Sequence, residues 1–208
     1  MYCRIRTEQG TVGLLPIMGE LQNMDASNVS FGKGKASGAV WVAPAGTTLP
    51  TDGTTALDAA FVNMGYISED GYVQSTETDT ADVKDWNGRT VLEEQSSYKE
   101  THTVNFIETK LENLKVIYGD GNVTEANNMI TVKSTGAALE EHVVVIEIAL
   151  TGGRVQRTVI PKAKIVDRGG DITYSATEAI KRPAIFSASP NAAGDYHIDY
   201  ISTVAVSA

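Results

Sequence analysis

The stretch from Thr109 to Gly121, TKLENLKVIYGDG, limits the possible folds more than any other. Ile107, Leu111, Leu114 and Ile117/Tyr118 recur at the helical period, which makes one face of a helix apolar. Thr109 and Glu112 have the spacing of a capping box, and Gly119 stands where a left-handed residue ends a helix. A helix of about three turns is too short to be stable alone in water. It must lie on another surface, and the segments on both sides read as strands. The expected fold is mainly β, a β-sandwich or half-barrel with one flanking α-helix at about residues 109–118.

The strands follow from periodicity and turn chemistry. Ala39 to Ala43 is a strand halted by Pro44, and the proline- and glycine-rich run after it is a turn region. Thr55 to Met64 predicts a short helical turn, with Leu57, Phe61 and Met64 on one side. Tyr66 to Ser68 starts a strand, Glu69-Asp70-Gly71 a tight turn, and Tyr72 to Gln74 another strand. Ser75 to Asn87 is polar and acidic, and reads as a long exposed loop holding Trp86. Structureless loops of that length are functional or disordered, and Trp86 either tucks back or anchors a partner. Ser97 to Phe106 alternates, with His102, Val104 and Phe106 on one face. Met129 to Lys133 is a short strand. Val143 to Leu150 (VVVIEIAL) is apolar almost throughout, as expected for a strand covered on both faces. Gly152-Gly153 predicts a two-residue hairpin turn into a basic strand, Arg154 to Val166, in which Pro161 marks an edge or a bulge. Further strands are expected within Ile172 to Ser187 and Tyr196 to Val204.

At 208 residues the chain has the length of one domain. Residues 1–36 hold five glycines and little periodicity, so 37–208 is the expected β domain and 1–36 an N-terminal extension. That extension is either a flexible arm that orders on a partner or, up to residue 17 or 23, a leader preceding a start at Met18 or Met24. The single cysteine, Cys3, excludes an intrachain disulfide framework and fits a reducing compartment. No apolar run reaches the roughly 18 residues of a membrane-spanning helix. Arg4 and Arg6 precede a short apolar stretch without a cleavage site, which is only part of a signal-peptide pattern.

Charge is distributed unevenly. Residues 69–100 carry nine acidic side chains against three basic ones, and residues 151–168 carry five basic against one acidic. Two solvated faces would produce this pattern. So would complementary ends suited to head-to-tail association. The overall charge of −9 argues against a protein that grips phosphate.

Catalytic constellations are missing from the sequence. His102, His142 and His197 are far apart and have no metal-ligand spacing, so each reads as a polar strand residue. Gly119 to Asn122 (GDGN) lacks the alternating acids and closing Glu of a calcium loop, and reads as a helix stop. Glu93/Glu94 and Glu140/Glu141 would point to opposite faces of a strand. No phosphate-binding, dinucleotide-binding or nucleophile-elbow motif occurs. The chain is expected to be structural or binding, with no catalytic, cofactor or metal residues.

Residues 38–71, GAVWVAPAGTTLPTDGTTALDAAFVNMGYISEDG, resemble the opening of the major tail proteins (tail tube proteins) of long non-contractile-tailed bacteriophages. The charged segment around Trp86 that leads into Thr90-Val91-Leu92 is similar to the same family, as is the helix exit Ile117-Tyr118-Gly119-Asp120-Gly121-Asn122-Val123. The resemblance spans about residues 36–205, and the first 23 residues fall outside the pattern. It implies the tail-tube type of β-sandwich, six-fold rings joined through inner strands, and stacked rings forming a conduit for DNA. The implied partners are the chain itself and other tail proteins (tape measure, tail terminator and distal tail). DNA would pass the lumen without specific binding, and no membrane would be involved. Under this resemblance the acidic segment with Asp79, Asp82, Asp85 and Trp86 reaches between rings, and Arg154, Arg157, Lys162 and Lys164 are its candidate docking partners. The rival expectation is an Ig-like adhesion or carbohydrate-binding sandwich, with an aromatic-lined groove and a stable monomer.

Overall fold

The structure is a computed structural model and describes residues 24–206. The expectations for residues 1–23, including the leader and Met18, lie outside them. Eleven strands and one α-helix are found among the described residues. Glu141–Leu150 (β8) and Arg154–Asp167 (β9) form the central antiparallel pair. Gly32–Gly34 (β1) and Val40–Pro44 (β2) lie end to end along the free side of β8. Arg182–Ala188 (β10) and Ile198–Ile201 (β11) share the other side of β9 in the same way. Beyond β2 comes Val62–Asn63 (β3). Beyond β10 come Thr90–Phe106 (β5) and then Ile67–Lys84 (β4). The sheet order is β3-β2-β8-β9-β10-β5-β4.

This order shows why the sheet is rolled. β3 and β4 are its two ends, yet only Met64, Gly65 and Tyr66 connect them. A chain that short spans roughly 14 Å, far less than a flat sheet of seven strands set about 4.8 Å apart. The ends must therefore curl towards each other. Hydrogen bonds hold the junction: Ile107 N–H donates to Tyr66 O (3.2 Å), Tyr66 N–H to Glu108 Oε1 (2.7 Å) and Lys110 Nζ to Asn63 O (2.7 Å). The mainly-β half-barrel expected from the sequence is the observed fold.

The rolled sheet encloses the larger core. Val40, Val104, Phe106, Ile146, Ile160 and Phe186 are buried there, and Met64, Val116 and Ile117 join them. Burying one such side chain contributes about 1.5–3 kcal/mol. On the opposite face Ala43, Phe61, Val143, Val145 and Val159 form a second cluster, with Trp41, Leu57 and Tyr200 against it. Residues 143–147 of β8 are thus buried on both sides, as the unbroken apolar run requires.

The helix Leu111–Tyr118 (α1) lies where expected and contributes Val116 and Ile117 to the larger core, with Leu114 also buried. Its start differs from the expected capping box. Lys110 is the cap residue in extended conformation, and no side chain caps the helix. Thr109 Oγ1 instead meets Arg182 Nη2 at 3.5 Å. The stop is at Gly119, whose φ of 94° only glycine adopts readily and whose N–H donates to Lys115 O at 2.8 Å. Asp120–Asn122 is a single 3-10 turn, with Asp120 paired to Lys115 at 2.9 Å. Val123–Ala126 (β6) and Met129–Val132 (β7) then form a small hairpin.

Four local expectations are corrected. Ser75 to Asn87 is not a loop: up to Lys84 it belongs to β4, paired with β5 along its whole length. Its strand character comes from a ladder with β5, which leaves no apolar alternation because both faces are exposed. Glu69-Asp70-Gly71 does not reverse the chain. It is a bulge inside β4 between the pairs Ile67–Phe106 and Tyr72–Val104. Thr55 to Met64 forms no helical turn, because Asp52 and Asp58 side chains accept the local backbone N–H groups of Thr54, Thr55 and Ala60. The Gly152-Gly153 turn takes in Thr151 as well, since Leu150 pairs with Arg154. Pro161 sits at a bulge between β8 and β9, one of its two expected placements. The segment expected as extension contributes β1 to the sheet.

Candidate assembly surfaces

The hairpin of β4 and β5 leaves the body of the protein as an arm. From Val73 to Lys99 every described side chain but Asp85 is exposed, on both faces of the ribbon. Val73 to Lys84 would span roughly 40 Å at the usual rise per residue. The tip is ordered by Asp85, whose Oδ1 accepts from the backbone N–H groups of Asn87 and Arg89, both at 2.8 Å. Trp86 stands at that tip fully exposed, and does not tuck back. Val83 pairs with Leu92 beside it, and both are about half exposed. On the other face Asp82 lies directly opposite Glu93. Like charges in such a pair repel. Asp79 accepts from Ser97 Oγ at 2.7 Å. A two-stranded ribbon without cover is marginal in water, and this one has both an apolar tip and an unneutralised acidic face.

The four basic candidates on β9 separate. Lys162 is exposed and Lys164 half-buried, and neither has an ion-pair partner among the described residues. Arg154 is half-buried; its guanidinium contacts the Ser30 hydroxyl, and its Nε donates to Thr151 O at 3.4 Å. Arg157 differs in kind. Its side chain is 3% exposed, opposite Glu147 at 6%. Nε and Nη2 donate to Glu147 Oε1 at 3.1 and 2.5 Å, while Nη1 donates to Asp52 O and Thr55 O at 2.9 Å each. Arg157 is thus committed to its own domain and offers no free charge at the surface. Its partner Glu147 also meets Lys35 Nζ at 3.4 Å. Asp79, Asp82, Asp85 and Trp86 share the arm, but no hydrogen bond or ion pair brings them to Lys162 or Lys164 within one chain among the described residues.

At the root of the arm the structure brings together two histidines that are far apart in the sequence. His102 on β5 and His197 just before β11 converge on Glu100, with His102 Nε2 at 3.0 Å and His197 Nδ1 at 2.6 Å from its Oε1. Glu100 and His102 are fully buried, and His197 is 25% exposed. Tyr98 Oη donates to Glu100 Oε2 (2.9 Å), Gln74 Nε2 donates to Oε1 (3.1 Å), and Tyr72 Oη meets His102 Nδ1 (2.7 Å). Burial, the largest influence, pushes the His102 imidazole below its ordinary value, and burial likewise raises the Tyr72 phenol. Glu100 and His102 share a face by simple alternation, so half of this cluster was visible in the sequence. His197 carries no local signal, because only the register of β11 on β9 brings it near.

A groove of about 670 Å³ runs between α1 and the β2–β3 edge, lined by Val42, Met64, Val116, Lys115 and His142 among others, and no Phe, Tyr or Trp lines it. It lacks the stacking platform a carbohydrate site would use. No helix among the described residues is long and apolar enough to cross a membrane.

Among curated proteins no sequence matches the chain. The family model described as phage tail tube protein does match, over residues 33–205, from β1 to beyond β11. The mainly antiparallel β fold with its single helix agrees with that match. The chain belongs to the phage tail tube protein family, a structural component of the virion rather than an enzyme.

Proposed function

We propose that copies of this chain close into hexameric rings, and that the rings stack into the tail tube of a phage with a long non-contractile tail, the conduit through which the genome enters the host. The arm carries this reading. Its exposed ribbon and like-charged Asp82–Glu93 pair need a basic, partly apolar surface to cover them. A neighbouring copy supplies one at Lys162 and Lys164, with Arg154 at the far end of the same strand. Trp86 is the anchor of this contact, because one large aromatic contributes most where it is fully desolvated. The outer edge of β4 ends the sheet and has no partner strand among the described residues. Ring closure would cover that edge, which otherwise invites uncontrolled pairing. Sixfold symmetry rests on the family resemblance. Tape measure, tail terminator and distal tail proteins would meet the two ends of the tube. The net charge of −9 suits a conduit that must release DNA, since each neutralised phosphate adds binding.

Negative-stain electron microscopy across a concentration series tests the assembly. Rings or tubes of uniform width are the expected result. For the docking contact, the double charge reversal Asp79→Lys with Asp82→Lys leaves the turn-forming Asp85 intact. It should abolish tube growth while the monomer keeps its melting temperature, and an unchanged tube yield would remove the contact. Reversal of Lys162 and Lys164 to Glu should do the same, and combining both reversals should restore growth in part.

A further inference from the structure

We propose that Glu100, His102 and His197 form a zinc site that fastens the C-terminal strand region to the root of the arm. One ligand atom from each of the three residues lies within 4.8 Å of the others, and His102 Nε2 and His197 Nδ1 stand 3.0 and 2.6 Å from Glu100 Oε1. Two imidazoles and one carboxylate are a donor set that zinc takes with a water or fourth ligand completing a tetrahedron. Around zinc at its usual bond lengths, neighbouring ligand atoms stand about 3.3–3.5 Å apart. The observed separations of 2.6 and 3.0 Å would open by less than an ångström to admit the ion.

Two observations point to an ion rather than to a closed hydrogen-bond network. First, His102 Nε2 is fully buried and stands 3.0 Å from Glu100 Oε1 without a well-directed hydrogen bond to it, and no other partner meets it among the described residues. A buried polar atom so poorly satisfied is costly and calls for an explanation. Second, two of the three candidate ligands are held from behind. His102 Nδ1 meets Tyr72 Oη at 2.7 Å and Glu100 Oε2 accepts from Tyr98 Oη at 2.9 Å, while His197 Nε2 lies 3.5 Å from Gln74 Nε2 and 3.7 Å from Asp199 Oδ2. Partners of this kind fix the tautomer and orientation of metal ligands. In this arrangement Nδ1–H of His102 donates to Tyr72 Oη, whose own proton points to Gln74 Oε1 at 3.5 Å, and Nε2 keeps its lone pair for the metal. The partial exposure of His197 leaves a path for entry.

The test uses the untagged full chain, stripped with a chelator and dialysed. One zinc per chain is expected by elemental analysis after reloading. Cobalt(II) in its place should show the intense visible bands of a tetrahedral site. Zinc at about a hundred times its Kd should raise the Tm by roughly 5–10 °C. His197→Asn, at the partly exposed ligand, should lose uptake, bands and Tm rise together, while its metal-free Tm stays near that of the stripped wild type. A stripped wild type whose Tm and cobalt spectrum do not respond overturns the proposal without any variant. So does a folded His197→Asn that binds zinc as the wild type does.

Discussion

Replacing Arg157 with methionine separates a core role from an assembly role. In the folded chain the guanidinium makes four hydrogen bonds, two to Glu147 and one each to Asp52 O and Thr55 O. Methionine keeps much of the volume but none of the donors. Glu147, 6% exposed, then keeps only Lys35 among the described residues, which is 37% exposed and 3.4 Å away. Removing one partner of a buried pair costs about 3–5 kcal/mol, because the other charge stays buried without compensation. In a domain of this size each kcal/mol lowers Tm by about 2–4 °C, so the expected fall is roughly 6–20 °C. Thermal unfolding followed by circular dichroism at a concentration too low for assembly measures it. The double replacement Glu147→Leu with Arg157→Leu should recover much of the loss, since no charge is left buried. A variant that melts like the wild type yet fails to form tubes would refute the reasoning and return Arg157 to the assembly surface.

Trp86→Ala should leave the monomer's Tm within about 1 °C, because the side chain touches nothing in its own domain, and should raise the concentration needed for assembly; light scattering checks the second point. Gly65→Ala should cost at least about 1–3 kcal/mol in denaturant unfolding, because Gly65 has φ 77° and a Cβ there would overlap the Glu108 carboxylate that accepts from Tyr66 N–H. His142 is held below its ordinary value of about 6.5, chiefly by burial. The unfolded chain therefore binds this proton first as pH falls. The His142 contribution should be fully present above pH 6.5 and be lost progressively below it. His142→Asn should flatten that part of the stability–pH curve, measured by urea unfolding at several pH values.

Much of the fold was legible because its signals are local. The face carrying Val104 and Phe106 follows from alternation on β5, and the double burial of residues 143–147 follows from an unbroken β-branched run. The stop of α1 follows from a glycine placed after the last apolar position. The acidic arm was missed for a physical reason. Strand patterns are visible where one face is buried, and neither face of this ribbon is buried in a single chain. Its strand state depends on hydrogen bonds to β5 alone.

The candidate site divides along the same line. Composition marks the acidic stretch and the family resemblance marks Asp79, Asp82, Asp85 and Trp86 within it, and the four do share one projecting element. The basic group could not be sorted by sequence. Lys162 and Arg157 are equally charged, but the register that sets Glu147 against Arg157 buries one pair and leaves the lysine in solvent. In the sequence 95 positions separate His102 from His197, and only the packing of β11 beside β9 brings both to Glu100. Sequence by itself determined the strands that bury a face and the helix, since period and turn chemistry act over a few residues. Tertiary structure alone decided the rolled closure of the sheet, the reach of the arm, and which charges are paired or free, since these depend on register between segments far apart in the chain.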